Sequence, residues 1–146
     1  MSSRYVVYFE PTLVVLDDMD NRMSSCLDSQ IRDFLTAWRA KDGFAKKLQS
    51  HLWQFKWSPR QGSGARAFAG HFDNGTHDIA LVLVAFKKTN ERKFNAAQAK
   101  FNERSRSLIE DVLEEKTEAQ LDAWLETQRG NDSRNVLTED DASTRG

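Results

Sequence analysis

The clearest pattern in the chain is the alternation of Trp53, Phe55 and Trp57 with Gln54, Lys56 and Ser58. A period of two puts the aromatic side chains on one face of a strand and Lys56 on the open face. The segment "ARAFAGHF" alternates again, with Arg66, Phe68, Gly70 and Phe72 on one side and Ala67, Ala69 and His71 on the other. Asn74-Gly75 then provides a two-residue hairpin signal. "IALVLVAF" follows, apolar at every position, which predicts a central strand covered on both sides. Three consecutive antiparallel strands result.

Upstream, the β-branched and aromatic run from Arg4 to Phe9, closed by Pro11, predicts a first strand. Leu27, Ile31, Phe34, Leu35 and Trp38 recur at helical spacing and predict a helix that Gly43 stops. Phe44, Leu48 and Leu52 share a stripe that predicts a second, short helix with Lys46 and Lys47 facing outward. Downstream, Phe94, Ala97, Phe101, Leu108 and Val112 predict a long helix, with a break near Lys116 and Thr117 before the weaker repeat of Leu121, Trp124 and Leu125. The expected fold class is α+β: a small twisted antiparallel sheet with N-terminal helices on one face and a long C-terminal helix. Residues 1–129 read as a single domain with a C-terminal helical extension. Residues 130–146 are acidic and poor in apolar side chains, and are expected to be disordered.

Composition narrows the setting. The 146 residues fit one ordinary domain. Cys26 is the only cysteine, so the chain has neither an internal disulfide nor a spaced Cys/His zinc pattern, which suits a cytoplasmic location. The opening residues have no sustained apolar stretch, so neither export nor membrane insertion is expected. Net charge is −1, but its distribution is uneven. Residues 37–108 hold 14 Lys/Arg and 5 Asp/Glu, a net of +9 flanked by acidic ends. Such a block either solvates helix faces or attracts a polyanion through counterion release.

The ordered set Leu52-Trp53-Gln54-Phe55-Lys56, Gly64-Ala65-Arg66-Ala67-Phe68 and Ala85-Phe86-Lys87-Lys88-Thr89, followed by Ala96, Ala97 and Ala99, resembles the RelE/ParE/HigB toxin superfamily, especially its phage-derived HigB-like branch. The resemblance spans roughly residues 48–104, and the N-terminal part agrees in element order. It implies a RelE-like fold with helices on one sheet face and a concave basic face opposite. It also implies a type II toxin that cuts mRNA on the ribosome and is neutralised by a cognate antitoxin. The ParE-like branch of the same shape is associated with DNA gyrase inhibition, and a non-catalytic, phage-derived binding module is a third alternative. Fold by itself does not choose among them.

Metal-free RNA cleavage requires a base for the 2′-OH, an acid for the leaving 5′-oxygen and cations for the phosphorane charge; neither metal nor cofactor is expected. Arg66, at the position where the family carries a functional arginine, is the first candidate for phosphate stabilisation, or else a surface salt-bridge partner. Lys56 is a candidate phosphate contact, or a base if crowded by other cations, or else a solvated strand lysine. Of Lys87 and Lys88, strand alternation lets only one join Lys56 and Arg66. His71 lies on the opposite side from Arg66 unless a bulge or register change intervenes near Gly70. Arg60, Lys46, Lys47 and Arg92 complete the candidate RNA-binding set. Ribosome-dependent relatives often carry a tyrosine or histidine near the C-terminal end of the core. The tyrosines here are Tyr5 and Tyr8, so the general base stays open. The tryptophans are core residues or base-stacking groups.

Overall fold

The computed structural model describes residues 3–37, 45–57, 64–87 and 91–143. The chain is an α+β protein with a six-stranded, mixed and mostly antiparallel open sheet in the order β2-β3-β4-β5-β1-β6. The strands are β1 (Ser3–Tyr8), β2 (Ala45–Gln49), β3 (Leu52–Trp57), β4 (Ala65–Asp73), β5 (His77–Lys87) and β6 (Val136–Thr138). β1 runs parallel to β5, and the other pairings are antiparallel.

The predicted meander is present as β3, β4 and β5, and the first strand as β1. β5 is apolar from Ile79 to Phe86, where helices cover both of its faces. On one, α1 (Glu10–Asp18), α2 (Asn21–Arg32) and α3 (Phe34–Ala37) pack Leu16, Leu27, Ile31 and Phe34 against Val6, Phe55, Ala67, Ala80, Val82 and Ala85. On the other, α4 (Glu91–Ser107), a π-helical segment (Leu108–Leu113) and α5 (Glu118–Arg129) cover Phe68, Phe72, Ile79 and Leu81. The expected open concave face is therefore replaced by a three-layer arrangement with the sheet in the middle. A two-sided apolar strand requires this, since leaving one side wet would expose several large side chains.

Three further expectations are corrected. The helix expected through Leu27, Ile31, Phe34 and Leu35 toward Gly43 is interrupted at Asp33, between α2 and α3. Upstream, Met19 is extended (ψ 156°), and the Asp20 carboxylate caps α2 by accepting from the backbone N–H groups of Arg22 and Met23. Trp38 and Gly43 lie outside the described residues. The short helix expected over Phe44 to Leu52 is instead edge strand β2 and its turn into β3, pairing Lys46 with Gln54 and Lys47 with Trp53. A helix of that length is marginal by itself, whereas the outer edge of β3 offers a ladder of backbone hydrogen bonds. Residues 133–143, expected to be disordered, form a 3₁₀ turn, β6 and α6 (Glu139–Ser143). β6 pairs with β1, and its Val136 and Leu137 are buried in the clusters on opposite sheet faces. The break before α5 is as expected: Thr117 and Gln120 form a capping box.

The register contains one irregularity that matters for the site. Phe68 pairs with Val84 but Ala69 with Val82, which leaves Leu83 as an extra residue in β5. Ala80, Val82 and Ala85 consequently share the face of α1–α3, although simple alternation would put Ala85 and Lys87 with Ile79 and Leu81. Among the described residues no helix is long and apolar enough to cross a membrane.

Candidate nucleic-acid interface

Lys56 and Arg66 are direct cross-strand partners, and Arg66 is in turn opposite Phe86. All three lie on the α4 side of the sheet, as Phe68 and Phe86 do. Both cations are half-buried. They sit where β3 ends and β4 begins, so their long side chains can reach past the covering layer to solvent. Arg66 Nη1 donates to the Ala65 carbonyl at 2.9 Å. Two cations directly opposite each other repel, a cost that an anion placed between them removes.

Lys87 pairs with Ala65, so the extra residue at Leu83 turns it to the α1–α3 face, away from Arg66. This corrects its place in a joint catalytic set with Lys56 and Arg66. Lys88 and Arg60 lie outside the described residues. Arg92 is exposed in the first turn of α4, which also carries exposed Lys93, Lys100 and Arg104. Lys100 and Arg104 lie over the Phe101 ring at 5.4 and 5.7 Å from its centroid. Lys46 and Lys47 are exposed on edge strand β2, and Lys47 Nζ is 5.8 Å from the Trp53 ring centroid. α4 packs across β2, β3 and β4. Lys46, paired with Gln54, shares the α4 face with Lys56 and Arg66, whereas Lys47, paired with Trp53, is on the opposite face.

His71 is not part of this group. β4 alternates without interruption from Arg66 to His71, so the two face opposite sides, and five residues of strand separate them by about 16 Å. His71 Nε2 lies 2.5 Å from Asp78 Oδ1, and its ring meets Phe34 edge-on. The other histidines occupy the same far end: His51 Nε2 is 3.5 Å from Glu110, and His77 Nε2 is 2.8 Å from Asp122 with its ring stacked on Tyr5. The sheet is polarised, with cations at one end and histidine–carboxylate pairs at the other. Lys56 and Arg66 can hold a phosphate, but no histidine can act as a base beside them. Among the tryptophans, Trp53 and Trp124 are half-buried; Phe55 is core.

A second polar group was not legible in the sequence. Tyr8 Oη donates to Asp28 Oδ1 at 2.6 Å, and Arg32 Nε donates to Asp28 Oδ2 at 2.7 Å, beside a cavity of about 200 Å³ also lined by Asp17, Ser24 and Arg134. Burial, reinforced by the Asp28 charge, raises the Tyr8 phenol well above its ordinary value. The native state holds this proton more tightly than the unfolded chain does. The contribution of Tyr8 is therefore complete below about pH 10 and is lost as pH rises from there through the raised native value. Alkaline unfolding titrations of the wild type and Tyr8→Phe should diverge above about pH 10, with the wild type losing more stability. Parallel curves would refute this.

The fold and site define an α+β protein with a mixed open sheet and a basic sheet end. Comparison with protein-family models, with curated proteins and with solved structures finds no match in any of the three.

Proposed function

We propose that the protein is a RelE/HigB-like toxin of a type II toxin–antitoxin system, acting on translating mRNA as a metal-independent endoribonuclease, with Arg66 and Lys56 holding the scissile phosphate. The observation that carries this reading is the register pairing of Lys56 with Arg66 at the basic end of the sheet. The order strand, helices, meander, helix supports it, with β2 as a fourth strand added to the edge of the expected β3–β4–β5 meander. Phosphate held between a planar guanidinium and an ammonium has its developing charge stabilised from two sides. A cognate antitoxin would cover the same cations.

A non-catalytic RNA-binding module of the same shape is the second reading, favoured by the location of all three histidines at the far end of the sheet. The intact chain and an Arg66→Ala/Lys56→Ala variant, added to a translating extract, separate the two. Mapping mRNA 5′ ends should reveal codon-positioned cuts, reduced on the order of 10²–10³-fold in the variant. Lys87→Ala should have a much smaller effect, because Lys87 faces away. Uncut mRNA with salt-dependent RNA binding, lost in the variant, would replace the first reading by the second. Uncut mRNA with altered DNA supercoiling would point to the gyrase-directed alternative.

A further inference from the structure

We propose that His71, Asp73 and Asp78 form a binding site for a divalent transition metal of the zinc class at the far end of the sheet. This lies outside the phosphate-binding cations and is independent of them. His71 and Asp73 are two apart on β4 and so share a face; Asp73 is the direct cross-strand partner of Asp78 on β5. One ligand atom from each of the three falls within 4.8 Å of the others. Tetrahedral zinc, with bonds of about 2.0–2.2 Å, sets its ligands about 3.3 Å apart. The close His71–Asp78 contact would open slightly and Asp73 would close in, both within the reach of side-chain rotation.

Electrostatics favours a cation there. Two carboxylates directly opposite one another on a sheet face raise each other's energy. Arg4 offsets part of this from β1: its Nε is 3.5 Å from Asp78 Oδ2, while its Nη1 donates to the Phe34 carbonyl at 2.9 Å. Arg4 therefore takes one Asp78 oxygen, and the other, Oδ1, points to His71. With His71 neutral, the two carboxylates and Arg4 leave a single negative charge for the metal. Asp78 is buried, His71 half-buried and Asp73 exposed, so the group is anchored on one side and accessible on the other. His71 and Asp73 also line a cavity of about 370 Å³ with His51, Asn74 and Glu114, which leaves room for a water ligand. The imidazole selects against magnesium and calcium and in favour of zinc-class ions. Such an ion would fasten the end of β4 to the start of β5.

Titration of the full chain with Zn²⁺ against a chromophoric chelator tests this, with Co²⁺ absorption reporting ligand geometry. One ion per chain is expected, with Mg²⁺ inert. Asp73→Asn should weaken Zn²⁺ binding on the order of 10–100-fold. The amide keeps the oxygen that accepts from the Gly75 N–H and removes the repulsion with Asp78, so a lost Zn²⁺ affinity with no loss of metal-free thermal stability separates ligation from folding. Asp122→Asn, which alters the separate His77–Asp122 pair, should leave the affinity unchanged. No Zn²⁺ binding, undiminished binding by Asp73→Asn, or equal loss in Asp122→Asn would overturn the proposal.

Discussion

Phe68→Ala is expected to lower the unfolding free energy by about 3–5 kcal/mol, the range for removing a large aromatic side chain from a core. Phe68 is fully buried on β4, with its ring centroid 5.0 Å from that of Phe86 on β5 and 5.6 and 5.8 Å from those of Phe94 and Phe101 on α4. It is the side chain through which three elements meet. Truncation forfeits its own burial and leaves a cavity that these rings, fixed on separate elements, can only partly fill. Denaturant unfolding should show the midpoint falling with little change in slope. Amide exchange should accelerate in α4 more than in α1. A loss under about 1 kcal/mol, below the usual large-to-small core penalties, would mean that the ring cluster does not fasten α4 to the sheet.

Gly70→Ala carries the second large effect. A Cβ at Gly70 would lie 2.1 Å from Ser105 Oγ and 3.2 Å from Ser105 Cβ, with Ile109 Cδ1 at 3.6 Å. Rotating the serine relieves the first contact but not the second, because Ser105 Cβ is carried by the α4 backbone. The chain must shift by a few tenths of an ångström, and about 1–3 kcal/mol is expected, the usual cost of overpacking. Ser105 is fully buried, and its hydroxyl oxygen has no hydrogen-bond partner among the described residues. Ser105→Ala alone should therefore cost little, since it removes an unsatisfied polar group. Combined with Gly70→Ala it should recover only the share due to the Oγ contact, since the Cβ contact at 3.2 Å persists. A double-mutant cycle measures this coupling; purely additive losses would show that α4 does not rest on β4 at this point.

Alternation made β3 and β4 legible, and an unbroken apolar run β5, because each directly records which side chains meet a covering layer. Arg66, Phe68, Gly70 and Phe72 share a face as their spacing requires, and Lys56 joins them. β2 was misread because Leu48 and its neighbours satisfy a short helical stripe equally well, and the decision rests with the unpaired edge of β3, far less visible in a local window. The C-terminal strand offered only Val136 and Leu137 amid polar residues, too short a signal for either periodicity. Its order comes from the outer edge of β1, more than a hundred positions away in the chain.

The doubled lysine shows the same division. The sequence by itself determined that an apolar strand ends at Phe86, that a basic segment surrounds it, and that Lys87 and Lys88 cannot share a face. It could not determine which face Lys87 takes, because the extra residue at Leu83 reverses the alternation, and such an insertion arises from matching β5 to β4 rather than from β5 alone. The same holds for the three histidines, scattered in sequence and brought to one end of the sheet by antiparallel pairing, and for Asp73 and Asp78, unremarkable apart and directly opposed once the hairpin closes. Local pattern decides which residues are strand and which are charged. Only the pairing of strands decides which charges confront one another.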